Sequence, residues 1–185
     1  MTFDDGPDAT WTPRLLDLLD GLGAGATFFP IAPRALAHAD VIERILADGH
    51  AIGLHCHDHV RHSERDRDWL RRDTESALAA LATLGVVPVF WRTPWGDTAP
   101  WTAEIALEFR LNLVGWSVDT ADWRGDPAEA MFDATREDLV SGAIVLAHDG
   151  IGPGARRDGA GETLRYVELV ADHARRHRLA LDALA

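Results

Sequence analysis

His50-Ala51-Ile52-Gly53-Leu54-His55-Cys56-His57-Asp58-His59-Val60-Arg61-His62 joins a short apolar run to a cluster in which four of the chain's nine histidines fall inside eight residues. The run 50–54 follows a helix-like segment and reads as a buried strand that delivers the cluster to one end of a sheet. In α/β folds the C-terminal ends of the strands hold the chemistry. His55 and His59 are spaced i, i+4, so one helical turn after the strand puts both rings on one side, a spacing that suits two imidazoles on one divalent ion. A polar run on a solvated loop has the same composition, so the pair needs support from elsewhere in the chain.

Outward from this stretch, the chain alternates. Met1 to Phe3 is a very short strand ending in two carboxylates, Asp4 and Asp5, and a turn through Gly6-Pro7-Asp8. Thr12 as N-cap and Pro13 at the first helical position open a helix to Leu22 with leucines at 15, 16, 18, 19 and 22. Strands are predicted over 26–29, 86–91, 112–118, 143–147 and 179–184. Helices are predicted over 41–47, 66–84, 100–109, 127–139 (capped by Asp126) and 162–176. Strand–helix alternation implies parallel βαβ units, and about seven of them point to a closed or nearly closed barrel in one domain spanning 1–185. Five polar clusters each follow a strand and would converge on one rim.

The composition of 185 residues, 46% hydrophobic and 26% charged, fits a single globular domain with a sizeable core. A net charge of −12 argues against nucleic acid or an anionic membrane surface as partner, because phosphate tracking needs a basic stripe. No apolar run approaches a membrane span, so no membrane insertion is expected. All eighteen basic residues are arginine. The single cysteine, Cys56, excludes an intrachain disulfide. The opening Met1-Thr2-Phe3-Asp4-Asp5 leaves no room for a leader or a full first strand. The expectation is a cytoplasmic protein if that start is complete, and a secreted or cell-envelope one if the N-terminus is truncated.

Five ordered motifs resemble those of the polysaccharide deacetylases, the chitooligosaccharide and peptidoglycan deacetylase group of carbohydrate esterase family four. They are Thr2-Phe3-Asp4-Asp5-Gly6-Pro7, His55-Cys56-His57-Asp58-His59, Arg92-Thr93-Pro94-Trp95-Gly96, Trp116 with Asp119-Thr120-Ala121-Asp122-Trp123, and Ile144-Val145-Leu146-Ala147-His148-Asp149. The resemblance implies a distorted (β/α) barrel of about seven parallel strands and an N-deacetylase acting on an N-acetylated carbohydrate. It implies Asp5, His55 and His59 as ligands of a divalent ion, zinc first, with cobalt or nickel as alternatives. Asp4 is then the general base, held by Arg92, and His148 the general acid, held protonated by Asp122. The backbone N–H of Trp95 is the implied oxyanion donor, and Trp116 and Leu146 wall the acetyl methyl.

The chain departs from the family pattern in three places. Cys56 stands where the family has Ser or Thr, and a packing role is expected for it in preference to ligation. Thr93 and Trp95 replace the commoner Pro and Tyr, which changes the groove wall. His57, Asp58 and His62 have no matched role and are expected to be solvated neighbours. Two rival functions stay open: an O-acetyl esterase on a polymer such as acetylxylan, whose leaving group needs less from His148, and a non-catalytic carbohydrate-binding protein on the same fold.

Overall fold

The computed structural model describes residues 1–185. In chain order the elements are β1 (Thr2–Asp4), α1 (Trp11–Leu22), β2 (Thr27–Phe29), α2 (Ala32–Ala37), α3 (Ala39–Ala47), β3 (Ala51–Ile52), α4 (Arg67–Thr83) and β4 (Phe90–Trp91). There follow α5 (Thr102–Glu108), β5 (Asn112–Leu113), β6 (Val118–Asp119), α6 (Ala128–Thr135), β7 (Val145–His148) and α7 (Gly161–His177). All strand pairing is parallel, in a five-stranded sheet of order β3-β2-β1-β7-β6 and a separate pair β4-β5. A bridge between Leu54 and Trp91 joins the two sheets, with Leu54 N–H donating to the Phe90 carbonyl and Arg92 N–H to that of Leu54.

The seven strands therefore form one arc, and the arc does not close into a full barrel: no ladder joins β5 to β6. The strand expected over 112–118 is split between the two sheets. Gly115 lies in its middle, where a missing side chain weakens a strand, and Arg92 reaches into the break, donating to the carbonyls of Val114 at 3.4 Å and Gly115 at 2.9 Å. The strand expected over 179–184 is also absent. Strand β2 is already paired on both sides, so the tail bonds only near its start, through Gly25 N–H to the Leu181 carbonyl and Leu184 N–H to Thr27 Oγ1. One strand divided and one lost leave the total at the expected seven.

Helix α1 buries Leu15, Leu16 and Leu19 against Phe3 and Phe28, which are themselves core residues of β1 and β2. Its first turn is capped by Asp8, whose Oδ1 accepts from the N–H groups of Thr10 and Trp11, so Thr12 is not the N-cap. The Thr12 hydroxyl is drawn instead to Asp149 Oδ2 at 2.6 Å. Asp66 caps α4, accepting from Trp69 N–H at 2.7 Å. Helix α6 is shorter than expected and Asp126 does not cap it; the N–H of Ala128 is taken by Glu162 of α7. Helix α2 was not foreseen, although Pro33 in its first turn is a helix-start signal.

Candidate metal and catalytic centre

The central strand fixes the site. Strand β1 is fully buried between β2 and β7, and its register sets Asp4 opposite His148 on the neighbouring strand. Asp5, the next residue, adopts a left-handed conformation with φ of 71°, which aspartate tolerates better than most residues. That turn sends the two carboxylates apart: Asp4 Oδ1 meets Arg92 Nη1 at 2.9 Å, while Asp5 Oδ1 lies 3.3 Å from His55 Nε2 and 3.1 Å from His59 Nε2. A methyl group on Gly152 would overlap Asp5 Oδ2, so this glycine lets the loop after β7 close over the carboxylate.

Asp5, His55 and His59 bring one ligand atom each within 4.8 Å of one another. Asp5 Oδ1 is buried and, despite the short distances to the two rings, has no partner with hydrogen-bond geometry. An orphaned buried carboxylate oxygen facing two imidazoles is a fit for a cation. Burial opposes ionisation of Asp5, but the adjoining imidazoles outweigh it and hold the carboxyl well below its usual range. The Arg92 carbonyl lies 2.7 Å from His55 Nδ1, which places the ring proton there and leaves the Nε2 lone pair for a metal.

The two histidines are not on a helical turn. Residues 53–61 form an irregular loop, and the rings converge because that loop is tied down. Asp73 of α4 accepts from the N–H groups of His57 at 3.1 Å and Asp58 at 2.8 Å, and Ala32 N–H donates to the Cys56 carbonyl. His57, Asp58 and Asp73 also cluster, but both Asp73 oxygens are spent on these loop bonds. Cys56 is buried, its thiol pushed up by burial, and its sulfur is outside the ligand group, as expected of a packing residue. His62 corrects the expectation of a solvated neighbour: it is 2% exposed, lies against Trp91 and bonds Thr102 Oγ1, and burial lowers its pKa to about 4.

Arg92 is completely buried and ties the end of β4 to β1 and to the β5–β6 break, donating to Asp4, to Thr2 Oγ1 and to the carbonyls at the break. On the far side of Asp4, Asp122 accepts from His148 Nδ1 at 2.6 Å and from His148 N–H at 3.0 Å. Burial pulls His148 down, but the hydrogen bond and charge of Asp122 outweigh it and raise the imidazole to about 9. Asp122 is itself lowered despite burial, by His148, Arg157 and Thr163. Arg157 and Thr163 were missed in the sequence. Arg157 donates to Asp122 Oδ2 and to the carbonyls of His148 and Gly150, and also bonds Thr163, whose hydroxyl donates to Asp122 at 2.7 Å. No spacing rule marks an arginine in a Gly-rich loop as the partner of a carboxylate 35 residues earlier.

Asp4, Asp5, His55, His59 and His148 open on a cleft of about 380 Å³, the size of a small-ligand site, walled by Trp95, Trp116, Trp123 and Leu146. Trp95 also has a left-handed backbone, with φ of 54°, and meets the His59 ring edge-on at 4.2 Å. Every residue expected at the site is thus gathered there. Two of them do not line the cleft: Asp122 lies one layer behind His148, and Arg92 is buried behind Asp4.

Comparison with known proteins agrees with this geometry. A family model described as polysaccharide deacetylase matches residues 1–114. A peptidoglycan-N-acetylglucosamine deacetylase of Bacillus cereus is 34% identical over 170 residues, covering 90% of this chain and 60% of the relative, so the chain spans under two thirds of that protein's length. A chitooligosaccharide deacetylase of Rhizobium leguminosarum bv. phaseoli is 33% identical over 178 residues, covering 92% of this chain and 76% of the relative. Among solved structures, the Bc1960 peptidoglycan N-acetylglucosamine deacetylase in complex with a naphthalenyl N-oxidanyl-benzamide superposes with a TM-score of 0.90 at 28% identity, covering 99% of this chain and 84% of that one.

Proposed function

The chain belongs to the polysaccharide deacetylase family, and from that membership we propose that it is a metal-dependent hydrolase. It removes N-acetyl groups from an amino-sugar polymer or oligomer, releasing acetate and leaving a free amine. The observation that carries this reading is the orphaned Asp5 oxygen between His55 and His59, flanked by the Asp4–Arg92 and Asp122–His148 pairs. A divalent ion on that set, zinc in the first instance and cobalt or nickel as alternatives, would polarise the acyl carbonyl and lower the pKa of water.

The chain's own residues supply the proton traffic. Asp4, oriented by its hydrogen bond from Arg92, takes a proton from the attacking water as its oxygen bonds to the acyl carbon. With Nδ1 engaged by Asp122, His148 presents Nε2–H to the amide nitrogen and protonates it as the C–N bond breaks. The Trp95 N–H stabilises the oxyanion, and Trp116 and Leu146 exclude water from around the methyl group. An imidazole held protonated at neutral pH suits an amide, whose leaving nitrogen must be protonated, better than an ester. The complete set of ligands, base and acid also speaks against a binding-only protein.

The test is metal content and acetate release together. Protein purified without chelator is expected to carry about one divalent ion per chain and to release acetate from N-acetylated chitooligosaccharides in preference to acetylxylan. His55→Ala and His59→Ala should lose both the ion and the activity. Unchanged metal content in both variants would overturn the assignment.

A further inference from the structure

Several surface arginines of this acidic chain are matched to carboxylates: Arg44 to Asp17 and Asp48, Arg67 to Glu104, Arg71 to Glu75 and Glu108. Arg61 differs. It lies on the wall of the cleft two residues beyond His59, and its Cζ sits 4.6 Å from the centroid of the Trp95 ring. Asp97, which feels its charge, is held by the N–H and hydroxyl of Ser63 at 2.8 and 3.1 Å, so the guanidinium has no carboxylate partner of its own. A second tryptophan of the same cleft, Trp123, has the guanidinium carbons of Arg124 and Arg156 at 5.2 and 5.8 Å from its ring.

A guanidinium stacked on an aromatic ring loses rotamer freedom but keeps its edge of N–H donors free, the geometry that grips a carboxylate through two parallel bonds. Arg61 also covers one face of Trp95, the surface on which a neutral sugar ring would otherwise stack. At Trp95 the wall therefore offers a passing polymer a cation in place of an apolar face. A polyanion approaching a chain of net charge −12 is repelled at long range, so recognition has to come from cations placed at the cleft itself, within the screening distance of physiological salt.

The geometry points to Arg61 as a carboxylate-recognising residue: the substrate is an acidic glycan in which a sugar next to the hydrolysed acetamido sugar carries a carboxylate, and that group is received by the guanidinium on Trp95. This inference rests on the deacetylase reading for the reaction, but the recognition of the carboxylate is separable from it.

Three probes of equal length separate the two: a neutral N-acetylated chitooligosaccharide, a peptide-free glycan whose alternate sugars carry an ether-linked lactyl carboxylate, and that glycan with its carboxyls converted to amides. On the metal-loaded enzyme, Arg61→Gln is expected to lower kcat/KM for the carboxylate glycan by about tenfold, mostly through KM, the scale of one charge-assisted hydrogen bond. It should leave the neutral and amidated probes unchanged, and Arg61→Lys should restore part of the loss. An equal effect on all three probes, or no effect on the carboxylate glycan, overturns the inference. Calorimetric binding of the carboxylate and amidated glycans to the Asp4→Asn protein gives a second readout that needs no turnover. A preference for the carboxylate that disappears in Asp4→Asn/Arg61→Gln supports it, and no preference in Asp4→Asn overturns it. Absence of acetate from every probe would instead count against the deacetylase reading.

Discussion

Asp122 holds His148 at two points, the ring Nδ1 at 2.6 Å and the backbone N–H at 3.0 Å, while sharing its second oxygen with Arg157 at 3.0 Å. The proposed acid is thus fixed in place by one carboxylate whose charge is partly spent elsewhere. The His148 imidazole, raised to about 9, is protonated below that value and loses its proton as the pH climbs through it. A cation on Asp5 offsets one of the negative charges that raise it, so the basic limb of kcat in the loaded enzyme should fall below about 9. Asp122→Asn removes the charge that outweighs burial, lowers the His148 pKa and should move that limb to lower pH. Arg157→Gln removes the competing cation and should move it to higher pH. Profiles that shift in the same direction for both variants would refute this division of charge.

Asp4→Asn keeps the shape and one hydrogen-bonding oxygen for Arg92 but cannot accept the proton. Turnover is expected to fall by about a hundredfold or more, the scale of a positioned acid or base. Metal content should stay at the wild-type level, because Asp4 faces Arg92 and is not in the ligand group. Near-full turnover, measured as acetate release, would remove Asp4 from the mechanism.

Asp73 accepts from two consecutive loop N–H groups and so sets the path of the chain between His55 and His59, the two histidines proposed to hold the metal. Asp73→Ala leaves those groups without their partner, and the variant should bind its metal about 10- to 100-fold more weakly, as when a supporting group behind a ligand is lost. A competition titration against a chelator reads this directly. Wild-type affinity in a folded variant would show that the loop holds its course without the carboxylate.

The residues proposed as ligands, base and acid were legible because each stands at or just past the end of a strand, in a motif whose residue types carry the chemistry: Asp4 at the end of β1 and Asp5 after it, His55 after β3, His148 at the end of β7. What lay beyond the sequence depends on contacts between distant segments. The helical turn inferred from the i, i+4 spacing of His55 and His59 is a loop because Asp73, on a different helix, supplies its hydrogen bonds. Thr12 has the composition of an N-cap, but Asp149, 137 residues away, claims its hydroxyl. The apolar content of 112–118 predicted one strand, and only the placement of Arg92 behind Gly115 shows why it breaks. Arg157 is invisible for the same reason, since nothing local in a Gly-rich loop signals a buried carboxylate across the site.

Gly152 is the position of that loop that packs against the Asp5 carboxylate. A Cβ there would overlap Asp5 Oδ2, so Gly152→Ala must displace either the loop or the ligand carboxylate. Arg34 limits the first escape, since it donates to both the Asp5 and Ile151 carbonyls, at 2.8 and 2.9 Å, and holds the two segments together. The strain is therefore expected to reach the metal group, weakening metal binding by about tenfold or more, on the scale of a disturbed ligand support, with the fold intact by circular dichroism. Gly154→Ala is the control. Its φ of 88° disfavours a side chain, but the space around it is open, so it should cost about 1 kcal/mol of loop stability and leave metal affinity unchanged. Equal metal affinities for Gly152→Ala and wild type would mean that the loop yields before Asp5 does.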